Sequence, residues 1–100
     1  MSDSIVSVSH GLTQEEAVRR IQAAVAEARE QYADRINELS ESWNGYAGEF
    51  AVSAMGQKVS GTIAVNPSEV TVQTKLPFLA MGFKPMIESG LRDALAKILA

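Results

Sequence analysis

Residues 46–76 read YAGEFAVSAMGQKVSGTIAVNPSEVTVQTKL, and the spacing of apolar residues in this run decides the fold. Phe50, Val52 and Ala54 alternate with Glu49, Ala51 and Ser53. Val59, Gly61, Ile63 and Val65 alternate with Ser60, Thr62 and Ala64, and Val70, Val72, Thr74 and Leu76 with Thr71, Gln73 and Lys75. Strand side chains point to opposite faces in turn, so each run has one mainly apolar and one mainly polar face. The connections Met55-Gly56-Gln57 and Asn66-Pro67-Ser68-Glu69 are too short for a crossover, which predicts antiparallel neighbours. A meander with one apolar side needs a cover.

The flanking segments supply it. Ile5, Val6 and Val8 lie among serines and predict a short edge strand over about Ser4–Ser9. Thr13 and Glu16 have capping-box spacing. From Thr13 to about Asn37, Val18, Ile21, Val25, Ala28, Tyr32 and Ile36 recur at helical intervals, with Glu15–Arg19 and Glu16–Arg20 as favourable i,i+4 pairs. Leu39, Glu41 and Trp43 return to strand spacing. Asn44-Gly45 is a type I′ hairpin signal that sets Trp43 opposite Tyr46 or its neighbour, and Gly48 marks a bulge. Pro77 ends the last strand, and Pro85 suits the first turn of a second helix over about Lys84–Leu99, with Met86, Ile87, Leu91, Ala94, Leu95 and Ile98 on its stripe. The reading is α+β: an antiparallel meander with two helices packed on one face, in the order β-α-β-β-β-β-α.

One hundred residues make a single domain over 1–100, long enough for one core without staples. The absence of cysteine excludes disulfides and thiolate chemistry. A net charge of −3 with no basic cluster argues against nucleic acid. No basic leader opens the chain, and the longest nearly apolar stretch, Leu76–Phe83, is too short to span a bilayer. The expectation is therefore a cytoplasmic protein with no transmembrane segment.

Chemistry-bearing residues are sparse. His10 has no ligating partners near it and reads as a turn residue accepting from the helix start, not as a metal ligand. Glu38, Glu41 and Glu49 read as solvated strand carboxylates, not as an acid–base pair. No serine sits in a Gly-x-Ser-x-Gly elbow, and Gly45, Gly48, Gly56 and Gly61 do not form a phosphate loop. No catalytic, cofactor-binding or metal-binding residue is assigned, and no enzyme is expected. Trp43, Tyr46 and Phe50 read as hairpin packing. The sharpest candidates are Phe78, Leu79, Met81 and Phe83, four large apolar side chains in six positions, which either cap the core or face an apolar surface. The mild outer face of the second helix, with Ala94, Ala96 and Ala100, and the preceding Ala80 are compatible with a homodimer.

Several positions together resemble a known family. These are His10-Gly11-Leu12, Glu16-Ala17, Arg19-Arg20, Trp43 before a hairpin, and Gly-Thr-Ile-Ala-Val from Gly61. Val70-Thr71-Val72 leading to Leu76 and Phe78-Leu79, then Ile87, Leu91, Leu95 and Ile98-Leu99, complete the set. The chain resembles the small polyhydroxyalkanoic acid system proteins, the polyhydroxyalkanoate granule-region family, over about Val8–Ala100. The resemblance implies a bacterial cytosolic protein linked to storage-polyester metabolism. It carries no catalytic triad, metal site or cofactor. The last helix departs from the family pattern in its low charge (Glu88, Arg92, Asp93, Lys97).

Two functions follow. In the first, the chain is a non-enzymatic accessory protein held on the polyester granule, or on a granule protein, through Phe78, Leu79, Met81 and Phe83. In the alternative, it binds a small hydrophobic, lipid-like ligand between sheet and last helix. That alternative calls for an apolar pocket of at least about 300 Å³.

Overall fold

The computed structural model describes residues 2–34, 38–54, 57–76, 82 and 84–100. Five strands form one sheet: β1 (Ser2–Ser9), β2 (Glu38–Asn44), β3 (Ala47–Ala54), β4 (Gln57–Val65) and β5 (Glu69–Leu76). Their spatial order is β1-β5-β4-β3-β2, and every neighbouring pair is antiparallel. β2 to β5 are the expected meander, and β1 is the expected edge strand, paired to β5. Two helices, α1 (Gln14–Gln31) and α2 (Lys84–Leu99), complete the order β-α-β-β-β-β-α.

Register sorts the side chains into two faces. Leu39 opposes Val52, Glu41 opposes Phe50 and Trp43 opposes Gly48; the row continues through Ile63 and Val72 to Val6. This inner face meets the helices. The outer face carries Ser40, Ser42, Ser60, Thr62 and Lys75, and across it the hydroxyls of Ser7 and Thr71 pair at 3.1 Å.

The β2–β3 turn falls on Gly45-Tyr46, one residue later than Asn44-Gly45. Gly45 has φ +63°, which a primed turn needs at its first central position. The shift carries Trp43 past Tyr46 to Gly48. Gly48 is not a bulge; it stays in register with both neighbouring strands.

At the start of α1, Thr13 Oγ1 accepts from the Glu16 N–H at 3.1 Å, which is half of the capping box. The Glu16 carboxylate does not return to the cap. It accepts from Arg19 and, at 3.2 Å, from Arg20. Both guanidiniums hold its pKa down to about 2. Arg20 also donates to the Ala100 carbonyl at 2.6 Å, so one side chain of α1 caps the end of α2. His10 behaves as the turn residue expected: Nδ1 accepts from the Leu12 N–H at 3.1 Å, which leaves Nε2 to donate to the Asn66 carbonyl at 2.9 Å. α1 ends at Gln31, short of Asn37; Tyr32 is exposed, and Ile36 lies outside the described residues.

The buried core is Val6, Ala17, Ile21, Ile63, Val65, Val70, Val72, Leu95 and Leu99. Every strand member comes from β1, β4 or β5. α2 packs chiefly on β1, and α1 reaches β4. Each fully buried Val or Leu contributes roughly 1.5–3 kcal/mol, so stability concentrates on this half of the molecule. Met86, expected on the stripe of α2, is 69% exposed. The β2–β3 half is covered least.

Candidate functional site

The less covered half holds an apolar cavity of about 230 Å³ that is partly open to solvent. Ile21, Ala24, Val25 and Ala28 of α1 and Leu91, Ala94, Leu95 and Ile98 of α2 form its roof. Leu39, Trp43, Phe50, Ile63 and Val72 form its floor. The roof alanines, Ala24, Ala28 and Ala94, contribute only methyl groups and leave the gap unfilled. Two larger hollows, about 370 and 490 Å³, are depressions on the outer face, bordered by Ser42, Glu49 and Thr62.

Glycine shapes the cavity floor. A Cβ on Gly48 would stand 2.9–3.1 Å from ring atoms of Trp43, and one on Gly61 would stand 2.7 and 2.9 Å from the Phe50 ring. Both aromatics therefore lie flat against glycines of the adjacent strand, a known way to cover a strand glycine. Rings lying on the sheet leave the space above them open.

Glu41 is the polar side chain of this floor. It lies between Leu39 and Trp43 on the inner face of β2, half-buried, and its Oε2 accepts from Trp43 Nε1 at 3.0 Å. The expectation of a solvated carboxylate is corrected here: alternation from Trp43 turns Glu41 inward. Glu49 borders the cavity from a position that alternates to the outer face. Arg29 of α1 donates to the Leu39 carbonyl at 3.2 Å, tying the helix to the edge strand.

Tyr46 does not join Trp43 and Phe50. It is exposed at the turn, and its hydroxyl donates to Glu15. That bond, with one from the Glu15 backbone, lowers the carboxyl pKa, and it raises that of the phenol. Glu15 is thus engaged by Tyr46 in place of the expected Arg19. Phe78, Leu79, Met81 and Phe83 lie outside the described residues. Among the described residues, no group of three His, Cys, Asp or Glu side chains converges to hold a metal ion. The cavity was only partly legible beforehand. The alternation of Leu39, Glu41 and Trp43 was readable, whereas the pairing of aromatics with glycines depends on register.

A family model described as "Putative polyhydroxyalkanoic acid system protein" matches residues 5–99. No curated protein matches the chain. Among solved structures it is similar to "Crystal structure of Ara h 8.0201", at 10% identity and TM-score 0.43, over 98% of this chain and 97% of that one.

Proposed function

This chain belongs to the polyhydroxyalkanoic acid system family, and we propose that it is a non-enzymatic accessory protein which binds a short, largely apolar ligand between sheet and helices. The supporting observation is the apolar cavity of about 230 Å³ floored by Trp43 and Phe50. Its volume falls short of the about 300 Å³ that the lipid-like-ligand alternative calls for, which counts against a lipid-like guest and limits the reading to a smaller one. It exceeds the roughly 150 Å³ that suffices for a benzene-sized guest. Under this reading the protein works in the cytoplasm. Among the described residues no helix is long and apolar enough to cross a membrane.

Trp43 is the single tryptophan and lies on the cavity floor, so its emission reports occupancy. Titration with methyl hexanoate, a neutral short-chain probe, is expected to shift that emission saturably. A response that never saturates, or silence from this ester and from its 3-hydroxy counterpart alike, overturns the ligand reading.

Attachment to a granule through Phe78, Leu79, Met81 and Phe83 is the second reading, supported by the density of large apolar residues in that stretch. Here F78S with F83S is expected to move the protein from the polymer fraction to the soluble fraction while leaving the titration unchanged. Unaltered partitioning removes this reading alone.

A further inference from the structure

Granted that the cavity holds a ligand, as proposed above, we infer that the ligand's polar end is a hydrogen-bond donor: the hydroxyl of a short hydroxyalkanoyl ester, seated on Glu41. The polar groups of the floor call for a donor. Glu41 presents a carboxylate on the inner face of the edge strand, half-buried, opposite Phe50, where it lines this cavity and also the hollow on the outer face; Glu49 borders the cavity as well. One of its oxygens accepts from Trp43 Nε1. The other, Oε1, has no partner among the described residues, although a carboxylate can accept several hydrogen bonds. A partly desolvated acceptor gains from a donor placed on it.

The same contacts exclude the opposite polarity. The indole N–H of Trp43 is already engaged by Glu41 and is not available to a ligand carbonyl. No Lys or Arg lines the cavity among the described residues, and Arg29 is directed to the Leu39 carbonyl. A ligand carboxylate would therefore meet a like charge with no cation to offset it. What remains is a donor on the ligand, a hydroxyl or a cation. The family description, which refers to polyhydroxyalkanoic acid, selects the hydroxyl, with the carboxyl end masked as an ester.

The test compares four six-carbon probes by Trp43 emission and by calorimetry: methyl 3-hydroxyhexanoate, methyl hexanoate, 3-hydroxyhexanoate and hexylammonium. The hydroxy ester is expected to bind about fivefold tighter than methyl hexanoate, the worth of one ordinary hydrogen bond, and the free acid weakest. E41Q removes the charge and leaves one acceptor oxygen, which Trp43 Nε1 occupies, so an NH2 donor replaces Oε1. In that variant, checked for native circular dichroism, the free acid is expected to gain about fivefold and the hydroxy ester to lose its about fivefold advantage over methyl hexanoate. Equal affinity for the two esters overturns the inference, as does a free acid that binds as tightly as the hydroxy ester. Hexylammonium binding tightest replaces the hydroxyl by a cation and overturns it too. Silence from all four probes instead overturns the ligand reading on which the inference rests.

Discussion

Trp43 and Phe50 lie on glycines, and the two contacts differ in what a methyl group would meet. At Gly48 the three atoms nearest the added Cβ all belong to the indole of Trp43, a side chain that can move. At Gly61 it would also stand 2.3 Å from the Gln73 carbonyl oxygen, part of the backbone of the neighbouring strand. G48A is therefore expected to cost about 1 kcal/mol and G61A about 3 kcal/mol, the two ends of the overpacking range. Urea titration ranks them, and equal costs would contradict the close approach of the Gln73 carbonyl to Gly61. G48A should also lift the indole from Glu41 and alter Trp43 emission without ligand. Thr74 presents a separate residue-level fault. It is 4% exposed on the inner face, and its Oγ1 has no hydrogen-bond partner. Valine has the same shape and no hydroxyl to desolvate, so T74V should stabilise the fold by about 1 kcal/mol. A lower denaturation midpoint in T74V would mean that the hydroxyl is satisfied after all.

Helices carry the predictions of the next scale. Gly90 lies within α2, and a Cβ there meets nothing within 4 Å. G90A should raise stability by about 0.5–1 kcal/mol through helix propensity alone, with no effect on ligand titration. In α1, the Arg19 and Arg20 guanidiniums depress the Glu16 pKa from the ordinary 4.5 to about 2. A depressed folded-state value stabilises the protein above the unfolded pKa, and that contribution fades as pH falls through the folded one. The stability difference between the native chain and E16Q should thus be constant above about pH 5 and shrink between 4.5 and 2. A difference that does not change across that window would mean the pairs form no more in the folded state than in the unfolded one. These elements also mark how far sequence reads into structure. Period-two alternation over residues 57–76 and the periodicity of residues 84–99 were enough to place β4, β5 and α2, because burial on one side enforces the pattern. Competing local bonds decided the rest. The capping box could not show that Glu16 would choose two arginines over the cap. The Asn44-Gly45 signal was off by one, and that single step determined that Gly48 lies under Trp43. A carboxylate between two apolar inward positions, Glu41, looked exposed by residue type and inward by spacing; spacing was the better guide.

At the scale of the whole molecule, core and cavity lie side by side on the sheet and share Ile21, Ile63, Val72 and Leu95. β1, β5 and β4 meet the helices in a buried cluster, while β2 and β3 face them across about 230 Å³ of apolar space. Such a space costs stability, because its lining atoms lose contact partners on one side. If the protein needed only to stand, larger residues in the roof would be favoured over Ala24, Ala28 and Ala94. Replacing one of them separates the two demands. A24L keeps a strong helix former at a half-buried position and extends its side chain into the void. It is expected to gain about 1 kcal/mol, the usual yield of a cavity-filling change. For a domain of this length that raises Tm by roughly 4–8 °C. The same variant should lose the saturable Trp43 response to methyl hexanoate. Gain of stability with loss of binding is the signature of a cavity kept open for a guest. An A24L protein that is more stable and still binds would place the guest elsewhere on the molecule, and one that is less stable would mean that the roof is already filled.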